Sequence, residues 1–156
     1  MIHDELGYSF NAVDRVVHGL YQAGSALDPV EFFELGFDEV FDLGGWERAE
    51  HMDGQAYRFY LIDDVPWISD LGAIDAMAVE IAALVRAGRR VVVNCSAGLN
   101  RSGLLVGRTL IELGHTPSEA VELVRQARGP HALSNVAFAK FLLIDCTPRK
   151  LSARSG

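Results

Sequence analysis

One stretch of this chain leaves few folds open: Val91-Val92-Val93-Asn94-Cys95-Ser96-Ala97-Gly98-Leu99-Asn100-Arg101-Ser102-Gly103. Its three valines read as a buried strand, because β-branched side chains suit a sheet covered on both faces. Small and neutral residues follow. An apolar run of helical character then extends from Arg101 to Leu113, with Gly114 as its stop. A strand that feeds a helix through a tight loop is the unit of a parallel sheet. The same turn suits an anion, since its backbone N–H groups can converge on one ligand and the new helix adds its positive end.

The rest of the sequence supports that architecture. Arg15 to Tyr21 reads as a strand, with Gly24-Ser25 as the turn after it. Asp28-Pro29 starts a short helix that ends near Leu35-Gly36, with Asp as N-cap and Pro at the first helical position. Glu39 to Leu43 is a second strand ended by Gly44-Gly45, the polar segment Glu47 to Gln55 a surface loop, and Tyr57 to Ile62 a third strand. From Asp70 the spacing becomes helical: Leu71, Ile74, Met77, Ala78, Ile81, Leu84 and Val85 share one face, and Gly88 closes it. Thr116-Pro117-Ser118-Glu119 is a capping box opening a helix to Arg128, and Ser134 to about Ile144 forms the last helix, with Phe138, Phe141 and Leu142 inward. The expected fold is α/β: a small, mostly parallel sheet with helices on both faces. At 156 residues the chain is read as one domain over 1–156, with its core over about 13–145 and a tail over 148–156.

Charge and cysteine usage narrow the function. A net charge of −7 argues against a nucleic-acid or membrane-surface binder, which needs an excess of Lys and Arg. The start, Met1-Ile2-His3-Asp4-Glu5, lacks the basic-then-apolar pattern of a signal peptide, and no apolar run reaches the length of a membrane span. A monomer in the cytoplasm is the expectation. The two cysteines, Cys95 and Cys146, are too few to suggest a disulfide framework; Cys146 reads as a small apolar filler. His3, His18, His51, His115 and His131 show no metal-ligand spacing, so no metal is expected.

Cys95 is the candidate nucleophile. A helix N-terminus and a nearby guanidinium both favour a thiolate. Arg101 would close the loop with a planar fork that matches two phosphate oxygens. A cation at a helix N-terminus opposes the helix dipole, and that local misfit points to a role outside the helix. Ser96, Ala97, Gly98, Leu99, Asn100 and Arg101 supply the expected anion-binding amides, with Gly98 at the tight turn. Ser102 can donate a hydrogen bond to the sulfur. Asp63 and Asp64, on a loop after the third strand, are candidates for the acid that protonates a leaving oxygen; Val65-Pro66 would stiffen that loop. Asp70 or Ser69 reads as a helix cap. Trp67 either stacks on a substrate ring or packs beneath its loop.

These residues closely resemble the motif of the cysteine-dependent protein tyrosine phosphatases: His-Cys, five residues, Arg, then Ser or Thr. The resemblance is to the small dual-specificity members. It extends over Arg15 to Ser25, Phe37 to Leu43, and Pro117 to Gly129 with Asn135, or roughly Val13 to Leu143. It implies a phosphatase without metal or organic cofactor, acting on a phosphorylated protein or small phosphoester through a phosphocysteine at Cys95. Arg101 would bind the transferred group and Ser102 assist the sulfur. Asp64 is the preferred acid, because Leu71 then falls where the family's next helix begins. Asn94 departs from the pattern, standing where the family has histidine; it can donate a hydrogen bond but cannot carry charge. The loop lacks Lys and His and has no Arg before Arg101, which favours phosphotyrosine or phosphoserine/threonine over inositol phosphates. The alternatives are a phosphate-binding module without turnover, an RNA 5′-triphosphatase (suggested by Asn100 before Arg101) or a phosphoinositide phosphatase. A sulfur-transferring or arsenate-reducing enzyme is less well matched, lacking a resolving cysteine near the loop.

Overall fold

A computed structural model of the protein describes residues 12–44 and 56–146. Its strands are β1 (Val13–Val17), β2 (Leu20–Ala23), β3 (Glu39–Asp42), β4 (Tyr57–Phe59) and β5 (Val91–Asn94). They form one sheet in the order β1-β2-β5-β3-β4, in which β1 and β2 pair antiparallel and all other neighbours are parallel. The helices are α1 (Pro29–Glu34), α2 (Leu71–Arg86), α3 (Arg101–Glu112), α4 (Pro117–Arg128) and α5 (Val136–Lys140). A wider π-helical segment, Phe141–Asp145, continues α5. Among the described residues no helix is long and apolar enough to cross a membrane.

Strand alternation divides the core in two. Leu20, Phe41, Val91 and Val93 point into a large cluster built with α2, α3, α4 and the final helical segment. Val40 and Val92 point the other way, into a small cluster with Phe32 and Phe37. Successive strand side chains face opposite sides of the sheet, so β5 is buried on both. The expected strand at Arg15–Tyr21 is a hairpin instead. Gly19 takes φ +84 and turns the chain, so that Val17 pairs with Leu20. The strand expected over Tyr57–Ile62 ends at Phe59, although Tyr60 and Ile62 still donate backbone bonds to Asp42 and Leu43.

Helix boundaries follow the capping chemistry. At α1 the Asp28 carboxylate accepts from the Glu31 N–H and the Glu31 carboxylate accepts from the Asp28 N–H. Asp70 caps α2 through the Ala73 N–H, and Thr116 caps α4 through the Glu119 N–H. Arg108 of α3, buried between helices, bonds Asp75 of α2 and Glu112 one turn on. The predicted termini near Met1–Glu5 and over 148–156, the loop Glu47–Gln55, and His3 and His51 lie outside the described residues.

Candidate active site

The loop from Cys95 to Arg101 is held from outside by its carbonyls. The Ser96 carbonyl accepts from the N–H and Oγ of Ser25, each at 3.0 Å. The Ala97 carbonyl accepts from Arg128 Nη2 at 3.3 Å. The Gly98 carbonyl accepts from Arg128 Nε and Gln22 Nε2, both at 3.0 Å. The Leu99 carbonyl accepts from the Leu133 N–H at 3.1 Å. In a trans peptide the C=O and the following N–H point opposite ways, and the described residues contain no cis bond. Four carbonyls drawn outward therefore turn the N–H groups of Ala97, Gly98, Leu99 and Asn100 toward the loop's interior. Such a ring of donors, at the start of α3, is chemically an anion receptor.

Two residues take the left-handed backbone conformation in this arrangement. Gly98 stands at φ +72, where an added Cβ would fall 2.6 Å from Arg128 Nη2 and from the Gly24 nitrogen. Leu133 stands at φ 59, which costs a non-glycine residue about 1 kcal/mol or more. The fold holds it there. Its side chain is buried against Gly103, and the Arg125 guanidinium bonds the carbonyls of Ala132 and Leu133.

Cys95 sits at the end of β5 with 1% of its surface exposed. Its Sγ lies 3.2 Å from Ser102 Oγ and accepts from the Ser102 N–H at 3.4 Å. Gln22 Nε2 donates to that same Ser102 Oγ at 3.1 Å. A hydroxyl that accepts from Gln22 keeps its own proton free to donate, and the contacts link Gln22, Ser102 and Cys95 in one chain. Asn94 donates through Nδ2 to Asp42 Oδ1 at 3.3 Å, and that carboxylate also receives the Gly44 N–H and the Tyr57 hydroxyl. The amide at the histidine position thus ties β5 to the end of β3.

Arg101 reaches from α3 across to the start of the loop. Its Nη2 donates to Ser96 Oγ at 3.0 Å and its Nη1 to the Ile62 carbonyl at 3.2 Å. Gly44 leaves room for this guanidinium: a Cβ there would stand 3.0 Å from Nη1. The Ile62 bond joins Arg101 to the segment carrying Asp63 and Asp64. Asp64 is fixed by two amides, with Oδ2 accepting from Asn100 at 3.1 Å and Oδ1 from Asn135 at 2.7 Å. Asn135 also donates to the Val65 carbonyl, and its own N–H bonds Asn100 Oδ1. These contacts bring Asp64 to the loop through Asn100. Asp63 is exposed.

The remaining candidates fall into place. Asp70 caps α2 and accepts from the Tyr60 hydroxyl. That hydroxyl first, and then the Ala73 N–H, hold its carboxyl below the usual carboxylate range. Trp67 lies open, with 61% of its surface exposed, rather than packed beneath its loop. His18 and His131 are exposed, and His115 pairs with Glu119 one turn on. Cys146 is buried in the large core.

Sequence reasoning assigned no role to Gln22, Ser25, Arg128 or Asn135. Gln22 carried a signal: it alternates with Leu20 on the face turned to α3, so a polar group occupies a core position. Arg128 is buried and ion-paired to Asp14 at 2.7 Å. No spacing within the sequence links it to the loop.

Five strands in this order, with a cysteine loop between the central strand and α3, make the fold that of the cysteine-dependent tyrosine phosphatases, in its small dual-specificity form. The crystal structure of human DUSP28 is similar with a TM-score of 0.74 and 21% identity, over 94% of this chain and 97% of that one. DUSP15 gives a TM-score of 0.67 at 16% identity, over 92% of this chain and 97% of that one. Tk-PTP in its active form gives 0.67 at 22% identity, over 86% of this chain and 98% of that one. No family model matches the chain, and no curated protein matches it by sequence.

Proposed function

We propose that this chain is a cysteine-dependent protein phosphatase, hydrolysing phosphate monoesters of tyrosine and also of serine and threonine. The observation that carries the reading is the set of four outward-held carbonyls around Cys95, which leaves an inward ring of amides at a helix N-terminus. Phosphate bound there would meet the sulfur from below and the Arg101 guanidinium at the rim. Preorganised donors of this kind stabilise charge that moves onto equatorial oxygens during transfer.

In the first step the Cys95 thiolate forms a bond to phosphorus as the ester P–O bond breaks. Asp64 gives its proton to the departing oxygen. In the second, water attacks the phosphocysteine while Asp64 takes up the water's proton. The P–S bond breaks, and Ser102 donates a hydrogen bond to the departing sulfur. Nucleophile, acid and charge-stabilising groups all come from the chain, so the steps call for no metal or organic cofactor. The acidic composition fits phosphorylated proteins better than nucleic acid, and we place the protein as a cytoplasmic monomer.

The test is hydrolysis of p-nitrophenyl phosphate. Cys95→Ser is expected to abolish it, and retained turnover would remove the nucleophile from consideration. Asp64→Asn is expected to lose far more activity than Asp63→Asn; the reverse order would transfer the acid role to Asp63. One observation favours a second reading, phosphate binding without release: Asn94, locked onto Asp42, stands where relatives carry histidine. That reading expects phosphopeptide binding by the unmodified protein and no phosphate in solution.

A further inference from the structure

A recess of about 370 Å³ opens beside Asp64. Its apolar wall is Val65, Pro66, Val136 and Ala137, and its polar side is Asn100, Ser134 and Asn135. The polar groups are turned on one another. Both amide nitrogens bond Asp64, while Asn100 Oδ1 accepts from the Asn135 N–H and the Ser134 hydroxyl. What remains to meet a ligand is largely hydrocarbon. Val136, the first residue of α5, is 77% exposed although nothing in the fold requires an apolar side chain there. Trp67 stands nearby in sequence to Val65, which it bridges, and is also open.

We infer that this recess is the subsite for a residue flanking the phosphorylated side chain of a peptide, and that it selects an uncharged, apolar one. The inference rests on Asp64 being the acid: the leaving oxygen would lie against Asp64, the phosphorylated side chain would extend outward from it, and the peptide carrying that side chain would then run along this wall. Among the described residues, Asp64 is the only charged side chain lining the recess. A second phosphate or a carboxylate placed there finds no counter-ion and faces an anion of its own sign. An aliphatic side chain gains burial against Val136 and Pro66 without displacing a hydrogen bond. The subsite therefore discriminates against polyphosphorylated small molecules and against acidic flanking sequence.

Binding to the Cys95→Ser protein tests this without turnover. The probes are three phosphotyrosyl peptides, alike except that both residues beside the phosphotyrosine are Leu, Glu or phosphoserine. The leucine peptide is expected to bind about tenfold more tightly than the bis-phosphoserine peptide. Val136→Lys, an exposed substitution, is expected to reduce that ratio to about threefold or less. Equal affinities, a ratio unmoved by Val136→Lys, or tighter binding of an inositol polyphosphate or a 5′-triphosphorylated RNA would each overturn the inference. Absence of phosphate release by the native protein would defeat the proposed reaction while leaving this affinity order to be read on its own.

Discussion

Arg128 and Gly98 are fitted to each other. The guanidinium donates from Nε to the Gly98 carbonyl at 3.0 Å, and the glycine's φ of +72 leaves the space that the guanidinium fills. Gly98→Ala would push a methyl group into Arg128 and into the Gly24 nitrogen while forcing a left-handed conformation on alanine. The expected result is a stability loss of about 1–3 kcal/mol in thermal unfolding and at least about a tenfold rise in the inhibition constant of inorganic phosphate. Arg128→Lys keeps a charge for Asp14 but loses the planar fork whose Nε and Nη2 reach the Gly98 and Ala97 carbonyls together. It is expected to raise KM for p-nitrophenyl phosphate more than it lowers kcat.

In the proposed reaction Asn135 would act through Asp64, which its amide holds at 2.7 Å. Removing its amide in Asn135→Ala leaves the carboxylate with Asn100 alone. A loosely held acid matters most when the leaving group is a poor one. The expected loss in kcat is therefore about threefold to tenfold for an alkyl phosphate and close to none for p-nitrophenyl phosphate. Equal losses on both substrates would show that Asn135 serves only the structure.

Ser102→Ala breaks the Gln22–Ser102–Cys95 chain at its middle. The sulfur then leaves the phosphocysteine without a hydroxyl donor. Stopped-flow measurement is expected to show a burst of p-nitrophenol followed by a steady rate about tenfold lower than that of the native protein. A loss of the burst itself would place the hydroxyl in the first step instead.

Asp70 gives an acid-dependent term to stability. Its folded-state pKa is lowered, chiefly by the Tyr60 hydroxyl, so its contribution is complete above the unfolded value and is lost as pH falls through the folded one. Asp70→Asn retains a capping side chain but does not titrate in this range. The melting-temperature difference between native protein and Asp70→Asn is expected to shrink between about pH 5 and pH 2. A difference that stays constant over that range would exclude the carboxylate as its source.

The sequence was most legible where one local rule decides the outcome. Asp28-Pro29, Asp70 and Thr116-Pro117 cap their helices in the structure, and the Val91–Asn94 run is the central strand. Thr116 forms its half of the expected capping box through the Glu119 N–H. The hairpin was hidden because its apolar pattern runs on past His18-Gly19, and only the turn conformation of Gly19 separates β1 from β2. Cys95, Arg101 and Ser102 stand close together at the loop and the first turn of α3 and can be found by spacing. Gln22, Ser25, Arg128 and Asn135 approach that loop through the tertiary fold, from positions that spacing does not connect.

The braces on the loop come from distant parts of the chain: Ser25 after β2, Arg128 at the end of α4, and Leu133 in the turn beyond it. The central strand and α3 are legible in local sequence, but the orientation of their connecting peptides is imposed by residues on both sides of them. On the proposed reading, phosphate affinity would thus be a property of the completed molecule. A nascent chain ending before Leu133 would already contain the nucleophile, yet it would lack the last clamp on its receptor. Reactivity toward phosphate should arrive late in folding, after the thiol has been enclosed.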